Sequence, residues 1–177
     1  MFQAPRGQSY TSISQILLNE KPQEILFSDE RYGWIDQYNP QWLYENRKIA
    51  FELFTFHTQE KTITIDVKSY FERSGLGQVV LIPTVGLFTS NGQKLPLKNI
   101  YFYLEEASDL EKKHLHAKWQ IKLEAGGSFY LLLGADDRQD LEMQSGMTSI
   151  LSPVYYNFSE KIIGSNSGNY RLVLDVQ

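Results

Sequence analysis

The stretch Ala125-Gly-Gly-Ser-Phe-Tyr-Leu-Leu-Leu-Gly-Ala-Asp-Asp137 decides how the chain is read. Two glycines form a turn, Phe129 to Leu133 is an apolar and aromatic run, and Gly134 with two aspartates ends it. A short apolar run bounded by turn signals reads as a buried central strand. Here it is the middle strand of a β-sandwich, entered from a tight turn and left through an acidic loop.

The neighbouring segments read the same way. Thr62-Ile-Thr-Ile-Asp-Val-Lys-Ser-Tyr70 alternates strictly, with Ile63, Ile65 and Val67 on one side and Thr62, Thr64, Asp66 and Lys68 on the other. That is one buried and one solvated sheet face. Lys48–His57 precedes it across the turn Thr58–Lys61. His114–Glu124 sets Leu115, Ala117, Trp119, Ile121 and Leu123 on one face, and with the central strand it encloses Gly126-Gly127. Gln78–Ser90 is strand material in which Pro83, lacking an N–H, demands an edge or a bulge. Ser90-Asn-Gly-Gln93 predicts a type I′ hairpin turn. Ile100–Glu106, Val154–Phe158 and Asn169–Val176 add strands, while 72–77 and 138–152 read as loops and Ser108–Lys113 as a turn of helix.

These segments, about eight strands, predict an all-β fold: an antiparallel, jelly-roll-like β-sandwich over residues 48–177. Residues 1–47 read as an N-terminal arm packed on that core. Within it, Ile13, Ile16 and Leu17 share one face of a short helix that Ser12 or Ser14 caps and Pro22 ends. A helix this short must dock to persist. Glu24–Ser28 is a candidate edge strand, and the aromatic-rich stretch 31–44, broken by Gly33 and Pro40, is expected as an irregular loop capping one end of the sandwich.

Composition removes whole classes of function. The 177 residues carry 17 basic and 21 acidic side chains, a net charge of −4 with no clustered cations. Nucleic acid and anionic membrane surfaces need such clusters, so neither is an expected partner. There is no cysteine, which excludes disulfides, thiolate metal sites and a cysteine nucleophile. No window is apolar for long enough to span a bilayer. The first residues, Met1-Phe-Gln-Ala-Pro-Arg-Gly7, lack the pattern of a signal peptide.

Three groups of residues could carry a role. Tyr32, Trp34, Tyr38, Trp42 and Tyr44 could form a ligand-binding platform, since flat rings stack on sugar faces and hold peptides; the plainer reading is an apolar plug. Asp136, Asp137 and Asp140, with Glu142 nearby, could supply half of a calcium shell; the plainer reading is a solvated acidic loop that Arg138 partly neutralises. His114 and His116, two apart on a strand, share a face and could start a zinc site that lacks its third ligand. The plainer reading there is a pair of exposed polar residues beside Lys112 and Lys113. Neighbouring Glu105 and Glu106 point to opposite faces and make no catalytic pair, and no Gly-x-Ser-x-Gly elbow occurs. No catalytic residues are assigned, and no cofactor beyond the calcium option.

Five segments together resemble the bacterial pre-peptidase C-terminal type of β-sandwich domain over about residues 48–176. They are Phe51–Phe56, Thr62–Val67, Gly86–Leu95, Ile121–Gly134 and Ser167–Leu174. This chain departs from the pattern in longer insertions at 96–118 and 138–163. The resemblance implies a non-enzymatic, secreted or periplasmic module that binds a protein or polysaccharide surface, in some members with calcium. Two alternatives are a carbohydrate-active domain using the acidic residues 136–142, and a subunit of a cell-envelope assembly joined through residues 1–28.

Overall fold

The structure, a computed structural model, describes residues 7–44, 46–74, 77–108, 110–135, 140–149, 152–165 and 167–177; of 74, 77, 140–149 and 152–163 it describes the backbone alone. In chain order the elements are β1 (Ser9–Tyr10), α1 (Ile13–Asn19), β2 (Gln23–Glu24), β3 (Arg31–Ile35), β4 (Gln41–Tyr44), β5 (Arg47–Thr58) and β6 (Thr62–Tyr70). Then come β7 (Glu72–Ser74), β8 (Gly77–Leu81), β9 (Pro83–Thr89), β10 (Lys94–Leu95), β11 (Lys98–Glu105) and β12 (His114–Lys122). The chain finishes with β13 (Gly127–Ala135), β14 (Asp140–Ser149), β15 (Ser152–Ser165) and β16 (Gly168–Val176).

They form two sheets. One runs β1-β4-β5-β13-β9-β10, with β2 also on β5; the other, nine-stranded, runs β3-β16-β6-β12-β11-β14-β15-β8-β7. The fold is an all-β sandwich. The strand quoted first, β13, is central: it pairs with β5 on one side and β9 on the other. Between the sheets, Phe54, Phe56, Leu131 and Leu133 meet Ile63, Ile65, Val67, Leu172 and Leu174, all buried. Each such side chain removed from water contributes about 1.5–3 kcal/mol before the entropy of ordering is set against it. The predicted alternation of β6 holds: Ile63, Ile65 and Val67 are buried in the core while Asp66 and Lys68 lie on the other face.

The helix forms as expected. Ser12 is its N-cap, its hydroxyl accepting from the Gln15 N–H at 3.3 Å. Its apolar face docks on the outer side of the smaller sheet, where fully buried Ile16 joins Tyr10, Phe51, Leu53, Phe88 and Leu132. Among the described residues, no helix is long and apolar enough to cross a membrane.

Several local readings change. Residues 31–44 form not a loop but two strands, β3 and β4, around one tight turn. Asp36 and Asn39 build that turn: the Tyr38 N–H donates to Asp36 Oδ1 at 2.7 Å and the Asp36 N–H to Asn39 Oδ1 at 2.9 Å. β3 joins the larger sheet through β16 and β4 the smaller through β5, so the strands on either side of the turn enter different sheets. The polar stretch 138–152 likewise contains strand β14, which pairs with β15 from Asp140↔Ile163 to Ser149↔Ser152; backbone pairing of this kind leaves little trace in hydropathy. The expected loop 72–77 holds the short strand β7 and the first residue of β8, the rest of which lies in the expected strand segment. Ser108 makes a hydroxyl-capped bend instead of a helical turn, its Oγ accepting from the Leu110 and Glu111 N–H groups. The 90–93 turn also differs in type: Gly92 alone has positive φ, 84°, and its N–H donates to the Thr89 carbonyl. Asn91 stays on the ordinary side of φ, which gives a type I turn closed by a left-handed glycine. Around Gly126-Gly127 there is no hairpin. β12 lies in the larger sheet and β13 in the smaller, so this glycine pair carries the chain from one layer to the other.

One glycine is demanded by packing. Gly33, on the edge strand β3, stands opposite Tyr170 of β16. A Cβ at Gly33 would fall 2.3–2.6 Å from the Tyr170 ring, which is 2% exposed and has nowhere to go. The ring covers the bare glycine backbone and shields an otherwise thin edge strand. Gly33→Ala is therefore expected to destabilise the fold by about 1–3 kcal/mol, read as a lowered urea midpoint at unchanged slope.

Candidate binding cleft and histidine–carboxylate cluster

Because the aliphatic residues of the larger sheet fill the core, its polar side chains are gathered on the opposite face. The register sets Tyr32, Arg171, Lys68, His116 and Tyr103 in one row across five strands. The adjacent row carries Trp34 with Asn169, and Tyr70 with His114 and Glu105.

At the β3 end lies an open cleft of about 850 Å³ lined by Tyr32, Trp34, Tyr70, Phe71, Arg73 and Asn169 among others. Tyr32 is 65% and Trp34 42% exposed. Both rings are nevertheless tied down at their polar ends. The Tyr32 hydroxyl donates to Glu30 Oε2 at 2.7 Å, and Arg171 holds the other oxygen of Glu30 at 2.6 Å. The Trp34 indole N–H donates to Asp36 Oδ2 at 3.1 Å. The Glu30 hydrogen bond also holds the Tyr32 phenol above its usual pKa. Tyr170 lies along one wall of this cleft, and its hydroxyl reaches through the sandwich to donate to Glu52 Oε2 on β5 of the opposite sheet. Burial pushes the Glu52 carboxyl above the usual range, an effect that hydrogen bonds from Tyr170 and Asn39 oppose. Burial, reinforced by Glu52, also raises the Tyr170 phenol.

The five aromatics singled out in 31–44 are not brought together. Tyr32 and Trp34 face the cleft. Tyr38 is 53% exposed in the turn. Trp42 and Tyr44 lie on β4 in the other sheet, with ring centroids 4.8 Å apart; Trp42 packs edge-on to Phe88 at 6.1 Å, and Lys94 sits 5.2 Å over the Tyr44 ring. Trp42 thus serves the plug under α1. Asp136 and Asp137 lie outside the described residues, and of Asp140 only the backbone is described, as the first residue of β14.

Further along the same face, β6, β11 and β12 place charged groups in contact. His114 is 2% exposed, which corrects its reading as a surface residue. Its Nδ1 lies 2.8 Å from the Lys112 carbonyl oxygen, an atom that can only accept, so the proton sits on Nδ1. Its Nε2 lies 3.1 Å from Glu105 Oε2, off the line of a hydrogen bond, and has no hydrogen-bond partner. His116 sits between Glu105 Oε1, 2.8 Å from its Nδ1, and Asp66 Oδ2, 3.0 Å from its Nε2. Burial works against the His116 charge, but the hydrogen bonds to Asp66 and Glu105 outweigh it and raise its pKa. Burial of Glu105 is likewise outweighed, by His116 and by the Tyr101 hydroxyl at 2.9 Å, so its carboxyl sits below the usual range. Lys118 pairs with Asp66 at 3.0 Å, and Lys68 with Glu111 at 2.7 Å. His57 is exposed on the smaller sheet, bonded to Ser128 and Gln59, and takes no part. Glu105, the third member, was overlooked in the sequence. The signal that could have found it is the β11–β12 pairing, which sets Glu105 opposite His114 across the intervening residues 106–113.

No protein-family model matches the chain, and no curated protein matches it. Among solved structures it is similar to the pre-peptidase C-terminal domain of collagenase from Bacillus anthracis. The identity is 14% and the TM-score 0.38, over 88% of this chain and 96% of that one. The fold class rests on the strand pairing described above.

Tyr170→Phe removes a donor from a half-buried carboxylate and is expected to cost about 1–3 kcal/mol at neutral pH. A carboxyl whose folded pKa is raised makes the native state lose stability as pH rises from the ordinary carboxylate value through the raised one. Without the Tyr170 hydroxyl this penalty deepens, so the deficit should be larger at pH 7 than at pH 4 in urea titrations. Glu52→Gln should remove the penalty and flatten that dependence. Trp42→Ala should lower stability by about 1–3 kcal/mol by opening a gap beside Phe88 and Ile16.

Proposed function

We propose that this protein is a non-catalytic β-sandwich module that binds an extended polysaccharide in the cleft beside β3. The observation that carries the reading is the pair Tyr32 and Trp34: large rings left in solvent on one face, yet fixed by hydrogen bonds to Glu30 and Asp36. A ring held in place loses little conformational entropy when a ligand stacks on it, so the apolar contact is kept as affinity. Around the rings, Asn169, Arg73 and Lys112 offer donors to ligand hydroxyls. The carboxylates beside the cleft are engaged, Glu72 by Asn169 and Glu30 by Tyr32 and Arg171, which suits holding a ligand better than hydrolysing one. A secreted or periplasmic setting, implied by the resemblance noted in the sequence, belongs to the same proposal.

Native gels cast with soluble polysaccharides should retard the protein. Tyr32→Ala and Trp34→Ala should each weaken retention about three- to tenfold, the worth of one stacked ring. Both positions are exposed, so melting should change little. Retention that survives both substitutions would place the ligand elsewhere, and no retention in any glycan gel would turn the reading toward a protein partner. The calcium role of Asp136, Asp137 and Asp140 is a separate proposal. Calcium added after chelation should raise the melting temperature, and the rise should vanish in Asp136→Asn/Asp137→Asn.

A further inference from the structure

We propose that Glu105, His114 and His116 form a binding site for one divalent transition-metal ion of the zinc class on the outer face of the nine-stranded sheet. One ligand atom from each residue lies within 4.8 Å of the other two. A tetrahedral ion about 2.0–2.1 Å from its ligands spaces them about 3.3 Å apart. The Glu105 oxygens already stand 2.8 and 3.1 Å from one nitrogen of each histidine, so small side-chain movements suffice to admit the ion.

Hydrogen bonding outside the cluster orients both rings. A metal-binding imidazole ordinarily donates its second N–H to a carbonyl or a carboxylate, which turns the other nitrogen's lone pair toward the ion. His114 Nδ1 meets the Lys112 carbonyl, and His116 Nε2 meets Asp66. That leaves His116 Nδ1 bonded to one oxygen of Glu105 and His114 Nε2 beside the other. At His114 the result is a ring nitrogen 3.1 Å from a carboxylate oxygen in a buried place, with no hydrogen bond joining them. A buried polar atom without a partner is costly, and a cation between the two would satisfy both by coordination. Charge agrees: the carboxylates of Asp66, Glu105 and Glu111 outnumber the ammonium groups of Lys68 and Lys118. Glu111, 3.9 Å from His114 Nε2, stands near enough to offer a fourth oxygen, or water can complete the shell. Glu105 is 34% exposed and provides the way in from solvent. Two imidazoles and a carboxylate select zinc, cobalt, nickel or copper over calcium, which requires six to eight oxygens.

The test is titration of the chelator-stripped full chain with zinc chloride by calorimetry, and with cobalt(II) by visible absorption. One equivalent should bind, with tetrahedral cobalt bands, and calcium should not compete. Glu105→Gln and Asp66→Asn should each weaken binding about 10–100-fold, the first by removing a ligand and the second by releasing the His116 ring. His57→Gln should leave the stoichiometry unchanged. His114 is buried, so its substitution is replaced by nitrogen-15 spectra of the unaltered protein, in which zinc should shift two imidazoles and leave that of His57 in place. Absence of zinc binding, binding unaffected by Glu105→Gln, or zinc shifts at His57 alone would each overturn the proposal.

Discussion

The structure depends on the two-residue period of β6, β12 and β16. Filling the space between the sheets with Ile63, Ile65, Val67, Ile121, Leu172 and Leu174 uses one side of these strands. Whatever the sequence offers at the intervening positions then lies together on the far side. Asp66, Lys68, Tyr70, His116, Lys118 and Arg171 are neighbours for that reason alone. A one-residue slip of β12 would drive both histidines into the core and expose Leu115 and Ala117, so packing guards the register of the polar face.

Where period two is strong, the sequence was legible. β6, β12, β13 and β16 could be read from alternation or apolar runs, and α1 from Ser12 and its apolar face. Where strand identity depends on a partner, it was not. β3 contains a glycine and exposed rings, features that argue for a loop until Tyr170 is seen lying across Gly33. β14, read as a loop, is held by backbone pairing with β15, which polar residues permit as readily as apolar ones. The alternating pattern also cannot say which sheet a strand joins. That is why Gly126-Gly127, read as a turn between two neighbouring strands, is a passage between layers.

The candidate sites follow the same division. The two histidines could be assigned to one face from spacing, yet the Glu105 carboxylate between them comes from β11 and the outer partner of His116, Asp66, from β6, while His114 takes its outer partner locally from the Lys112 carbonyl. The aromatic stretch 31–44 was correctly seen as unusual, but a turn at 36–40 sends its halves to different sheets. Tyr32 and Trp34 reach solvent while Trp42 packs against Phe88 in the cluster on which α1 docks. Tyr170 links these themes: on one side it covers Gly33 beneath the exposed rings, and its hydroxyl ties the two sheets together through Glu52.

The placement of β16 has a consequence for how the molecule assembles. It lies between β3 and β6 and pairs with both, so β3 is tied into the larger sheet through a strand far from it in sequence. Pairing of this kind closes a long loop before its contacts reward the lost entropy, which makes it a slow step. Until β16 docks, β6 lacks a neighbour and its apolar inner row is incompletely covered. Detachment of β16 would leave an open, adhesive edge in the middle of the larger sheet.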